Sequence, residues 1–172
     1  MSWRGAPSVR GSNILLACAW VLAVMPLMLV VARIPGHSND PRAYPGTRGD
    51  MSLEELLAEF QLELPPCKID GLRYYAFDDL SRDLSLRFSL PEDCLHGFLE
   101  SLVIDESTGG YTSTGDSVGI STALIKKLGW PIDPDKTYRA YSARPIETSS
   151  YHIVVDRYGK QPVVYMHGIN SA

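Results

Sequence analysis

The sequence is poor in the residues that most often announce a chemistry. Its 172 positions hold three cysteines and four histidines, with no zinc-finger spacing and no H-E-x-x-H. There is no phosphate-cradling glycine loop, no internal repeat, no low-complexity or collagen-like tract and no long coiled-coil pattern. Basic charge is also short, 16 Lys and Arg against 20 Asp and Glu, a net of −4. The deficit is uneven. Residues 1–50 carry five Arg against Asp40 and Asp50, whereas residues 51–172 carry 11 basic and 18 acidic groups. Nucleic-acid binders depend on a basic face, so the acidic C-terminal part argues against that class.

One absence is longer than the rest. From Ile14 to Ala32 no residue is charged, and the 19-residue block contains Trp20 and Pro26 among aliphatic side chains. At about 1.5 Å per residue a helix of that length spans roughly 28 Å, near the thickness of a bilayer's hydrocarbon core. It has no polar stripe, and lipid-embedded helices tolerate an internal proline better than soluble ones. The segment therefore predicts a transmembrane helix over residues 14–33, with residues 1–13 as a cytoplasmic tail. Arg4 and Arg10 on one side and Arg33 on the other nearly balance, so the cytoplasmic N-terminus rests mainly on the usual fate of short tails. The rival is a cleaved secretory signal, for which the block is long and Arg33 an awkward residue after Val30-Val31-Ala32. Either way the remainder is exported. Residues 34–50 hold three Pro and three Gly in 17 positions and read as a flexible linker.

Residues 51–172 are enough for one domain with its own core. Ser52 and Glu55 have capping-box spacing, and Leu53, Leu56, Leu57 and Phe60 follow on one helical face until Pro65-Pro66. Leu72–Phe77 and Leu84–Leu90 alternate with period two around a polar turn, which is a hairpin signal. Pro91, Glu92 and Asp93 open a second helix with Leu95, Phe98, Leu99 and Leu102 as its apolar stripe. The Gly-, Ser- and Thr-rich stretch from Asp105 to Gly119 reads as a mobile loop, and Ile120–Leu128 as a short helix ended by Gly129. Three more strands are expected at Thr137–Ala143, Tyr151–Asp156 and Pro162–His167. Grouped strands with helices set apart predict an α+β fold: one antiparallel sheet of about five strands, packed on one face by two or three helices.

Cys18 lies in the uncharged block, but Cys67 and Cys94 fall in the exported part, where disulfides persist. If Phe77 faces Leu84, the same register extended outward sets Cys67 opposite Cys94. A bulge at Gly71 would shift it by one. A disulfide closing that loop stabilises by roughly 3–4 kcal/mol on the chain-entropy model.

Gly115-Asp116-Ser117-Val118-Gly119 matches the G-x-S-x-G pattern, in which small residues flank a nucleophilic serine on a sharp strand-to-helix turn. His152, His167 and several acids follow it. The pentapeptide lacks the preceding buried strand that the chemistry needs, so Ser117 with His152 or His167 is the lesser, hydrolase alternative. His152 and His167 lie on neighbouring expected strands, where they can come to face one another. Two imidazoles without a carboxylate make a poor metal site, and ordinary surface positions are the plainer reading. No metal and no cofactor is expected. The turn acids Asp78, Asp79 and Asp83 lack the spacing of a calcium loop.

Leu64-Pro65-Pro66-Cys67, Phe88–Leu95, Gly129-Trp130 and Val154-Val155-Asp156 with Pro162–Tyr165 resemble small exported proteins of high-GC actinobacteria such as streptomycetes. The resemblance implies a membrane-tethered or secreted domain and carries over no functional residue. Together these readings predict a single-pass chain held in the lipid bilayer through Ile14–Ala32. It would display an extracytoplasmic module that binds an envelope protein or a small ligand, with no identifiable catalysis.

Overall fold

A computed structural model describes residues 38–171 apart from 79, 80 and 108, and gives only the backbone of Asp78. The Ile14–Ala32 segment, the tail before it and Cys18 lie outside the described residues. Among those described, no helix is long and apolar enough to cross a membrane. They belong to one compact unit, Gly36–Ala172.

The elements are α1 (Leu53–Glu59), β1 (Asp70–Asp78), β2 (Arg82–Ser89), α2 (Glu92–Ser101), β3 (Gly110–Thr114), α3 (Thr122–Leu128), β4 (Thr137–Ile146), β5 (Ser149–Asp156) and β6 (Val163–Asn170). The six strands form one antiparallel sheet in the order β1-β2-β6-β5-β4-β3. The fold class is α+β, as the grouping of strands and helices predicted.

Local chemistry explains the helix ends. Ser52 accepts from the Glu55 backbone N–H while the Glu55 carboxylate accepts from the Ser52 N–H, a complete capping box. Ser121 caps α3 through the Leu124 N–H. All three helices then close with the same reversal, in which the residue two past the last full turn donates back across it. Leu62 donates to Leu57, Ile104 to Leu99 and Trp130 to Ile125. The left-handed residue that this requires is Gly129 after α3, but Gln61 after α1 and Val103 after α2. In each case the donor's side chain is buried, so the reversal also delivers an apolar group to a core.

Two cores flank the sheet. On one face Leu53 and Leu56 of α1, Phe60 at its C-cap, and Leu95, Phe98 and Leu99 of α2 cover Tyr74, Leu84, Leu86, Phe88, Tyr151, Ile153 and Met166. On the other, α3 and its flanks bring Val118, Ile120, Ile125, Leu128 and Trp130 onto Tyr75, Tyr138, Val154 and Tyr165. The expectation of helices on one face is corrected here. Tyr75, Val154 and Tyr165 alternate with the residues of the first core, so both faces are apolar and both need covering.

Two other expectations change. The stretch after Asp105 is not loop throughout, because Gly110–Thr114 pairs with Thr137–Tyr141 as a sixth, edge strand. Residues 38–50, expected as a flexible linker, are tied to the other edge. Ala43 bridges Tyr74 in parallel, Tyr44 and Tyr74 N–H groups donate to Tyr74 and Arg42 carbonyls, and Thr47 is buried beside them. Its order comes from backbone pairing, which a pattern of apolar side chains does not report. Tyr44 also accepts from the Trp130 indole at 3.0 Å, joining this segment to the α3 side.

Candidate functional site

The β1–β2 hairpin pairs Phe77 with Asp83 and Ala76 with Leu84, one residue from the expected register, and the register shifts between Asp70 and Arg73. Gly71 sits in that bulge at φ +63°, where glycine carries no Cβ penalty. Cys67 precedes β1 and Cys94 lies in the first turn of α2. Their sulfurs are at disulfide distance, with Cα atoms 6.4 Å apart. Both cysteines thus meet just beyond the open end of the hairpin, against the first core.

The α3 face carries a polar row. Strand pairing fixes a straight row across it: Tyr75 opposite Ser85, Ser85 opposite His167, His167 opposite His152, and His152 opposite Ser142. Hydroxyl and imidazole groups bond along this row. Ser85 Oγ lies 3.2 Å from His167 Nδ1, and Ser142 Oγ lies 3.2 Å from His152 Nδ1. Each histidine is therefore held by a serine on the strand away from the other histidine. The Gly119 backbone passes over His152, where an added Cβ would stand 2.9 Å from Nδ1 and 3.1 Å from the Tyr111 hydroxyl.

An open cleft of about 260 Å³ runs from the row toward α3. Tyr75, Phe77, Asp83, His167 and Lys127 line it, and Phe77 is 43% exposed. Tyr75 and Phe77 stack at 6.4 Å. The Lys127 ammonium stands 4.4 Å above the Tyr75 ring and donates to its hydroxyl at 2.5 Å. A second cleft, of about 440 Å³, opens beside His152 toward Ser142, Arg144 and Ser150. Burial holds the His167 pKa below its ordinary value, with nearby His152 adding to the effect and the Asp83 carboxylate opposing it.

His152 and His167 are thus direct strand partners, but Ser117 is not joined to them. Ser117 Oγ donates to Asp116 at 3.2 Å, and Thr114 donates to the same carboxylate at 2.5 Å, which pushes the Asp116 pKa down. The strand before Ser117 is the exposed edge strand β3, where an activated nucleophile has no buried sheet to stand on. The two serines that do touch histidines are differently placed. Ser85 is only 1% exposed, at the floor of the cleft beside His167, whereas Ser142 is exposed. Among the described residues no group of three or more His, Cys, Asp or Glu side chains is placed to hold a metal ion. The row and cleft therefore offer hydrogen-bond donors, hydroxyls, rings and one ammonium, a set suited to binding.

Sequence reasoning missed Ser85, Ser142, Tyr75, Phe77, Lys127 and Tyr111 as parts of this face. They come from β2, β4, β1, α3 and β3, and only cross-strand register brings them together. The chain matches no family model, no curated protein and no solved structure.

Proposed function

We propose that this chain is a single-pass, membrane-anchored binding module. Ile14–Ala32 spans the bilayer with the N-terminus cytoplasmic, and the domain is displayed outside. Its ligand face is the serine–histidine row with the Tyr75–Phe77–Lys127 cleft, and its partner is an envelope protein or a small ligand. The observation that carries the reading is the Cys67–Cys94 pair at disulfide distance, in a domain that follows a long uncharged run. Such a pair persists in an oxidising compartment and stays reduced in the cytosol. The cleft supports binding over hydrolysis, since Ser117 is bonded to a carboxylate and not to an imidazole.

Intact cells making the full chain provide the test. The chain should remain with membranes after an alkaline carbonate wash. Cys67 and Cys94 should react with a membrane-impermeant maleimide only after reduction. Recovery in the soluble extract with both thiols free would refute the placement. A serine-reactive fluorophosphonate probe should label neither the native chain nor Ser117→Ala, and labelling lost in that variant would establish the hydrolase instead.

A further inference from the structure

We propose that His152 and His167 form a two-imidazole site for a late first-row divalent cation, Zn²⁺ or Cu²⁺. The inference goes beyond the reading of this face as a binding surface. It is also separable from it, because failure to bind metal leaves the membrane placement and the cleft as they are.

Three observations carry it. The first is register: His152 and His167 are direct partners on adjacent antiparallel strands and project from the same face. Side chains so placed have Cβ atoms about 4.5–5.5 Å apart. Two nitrogens bound to one tetrahedral ion at about 2.0–2.1 Å stand roughly 3.3 Å from each other, a separation that two facing imidazoles can close.

The second is orientation. Each Nδ1 has a serine hydroxyl 3.2 Å away, from Ser85 for His167 and from Ser142 for His152. A hydroxyl rotates to accept as readily as to donate. With Nδ1–H donating to serine oxygen, each Nε2 keeps its lone pair for a metal. Ligating histidines are generally held in this way, the ring nitrogen remote from the metal fixed by a hydrogen bond to oxygen.

The third is room. The cleft of about 260 Å³ ends on His167 and the one of about 440 Å³ is lined by His152, so water or an outside ligand can complete the coordination shell. Asp83 and Lys127 both line the first of these and Arg144 lines the second, so the surroundings add no net negative charge and the imidazole lone pairs carry the affinity. Imidazole ligands suit Cu²⁺ and Zn²⁺, with Cu²⁺ the tighter, whereas Mg²⁺ prefers an all-oxygen shell.

The experiment uses the full chain, purified without a polyhistidine tag and stripped with EDTA. It is titrated with ZnCl₂, CuCl₂ or MgCl₂ in competition with a chromophoric chelator. One Zn²⁺ or Cu²⁺ per chain is expected, with Cu²⁺ tighter and no response to Mg²⁺. His152→Ala and His167→Ala should each weaken binding by about tenfold or more, since even outer-shell changes cost that much. His96→Ala, at an exposed position of α2, should leave binding unchanged. Paramagnetic broadening of the native chain's histidine ring signals by substoichiometric Cu²⁺ needs no variant and guards against misfolding. Selective loss of the His152 and His167 signals supports the site. Broadening centred on His37, His96 or the α-amino group, unchanged affinity in both variants, or no binding overturns it.

Discussion

Opening the Cys67–Cys94 bridge should be the most costly single chemical change to this domain. The bridge closes a loop of 28 residues, Cys67 through Cys94, that contains the whole β1–β2 hairpin. Loop-closure entropy for that length is worth about 3.6 kcal/mol at room temperature. At about 2.1 cal/mol/K for each of roughly 134 ordered residues, the melting temperature should fall by about 13 °C. Reduction with a phosphine is the clean arm, because it opens the bridge and leaves both side chains in place against the core. Cys67→Ala with Cys94→Ala adds a small packing loss, so it should fall slightly further. Urea unfolding should also show a larger m-value once reduced, because an uncrosslinked denatured chain exposes more surface. Alkylation with mass measurement confirms complete reduction. A loss below about 1 kcal/mol with an unchanged m-value would refute the loop argument.

Three further outcomes follow from particular positions. At Gly168 an added Cβ would stand 2.9 Å from the Tyr151 ring and 3.2 Å from Phe60, while the Tyr151 hydroxyl donates to the Phe60 carbonyl. Gly168→Ala should therefore destabilise by about 1–3 kcal/mol in urea unfolding. Val103 ends α2 at φ +61° while 82% exposed, so it bears left-handed strain without compensating burial. Val103→Gly should stabilise by about 0.5–1 kcal/mol, read as a higher urea midpoint, once glycine's greater unfolded-state entropy is set against the relief. Burial depresses the His167 pKa in the folded state, so the unfolded chain takes the proton first. In EDTA-containing buffer, stability should be level at neutral pH and above. It should fall as pH drops through the ordinary imidazole value near 6.5, and flatten once folded His167 is itself protonated. His167→Gln should remove that step, measured as urea midpoints across the same pH range.

Local signals in the sequence carried over well wherever the chemistry is local. The Ser52–Glu55 box and the Gly129 stop are properties of a few adjacent residues, and both are where the spacing put them. That His152 and His167 fall on neighbouring strands was legible, but their direct opposition is set by Asp156 pairing with Val163 and not with Pro162. What the sequence hid depends on distant backbone. Strand β3 is Gly-Tyr-Thr-Ser-Thr, mostly exposed, and its pairing with β4 leaves almost no apolar alternation to read. Residues 42–48 are ordered by carbonyls and amides of β1 and show no apolar period of their own. The side of the sheet taken by α3 is likewise not written in α3. Its two apolar positions would serve against either face, and the choice falls to Val118, Trp130 and their partners Tyr165 and Tyr44. The polar row was illegible for the same reason, being a line drawn perpendicular to the chain.

The segment 42–48 has a consequence for how copies of this protein meet. By pairing with the middle of β1 it covers part of one rim of the sheet, whereas at the other rim β3 is five residues long and β4 runs on past it from Ser142 to Ile146. An object with two open rims can zip end to end without limit, as in fibrils. Any strand-to-strand association of crowded copies should accordingly begin at the β3–β4 rim, where no such segment lies among the described residues.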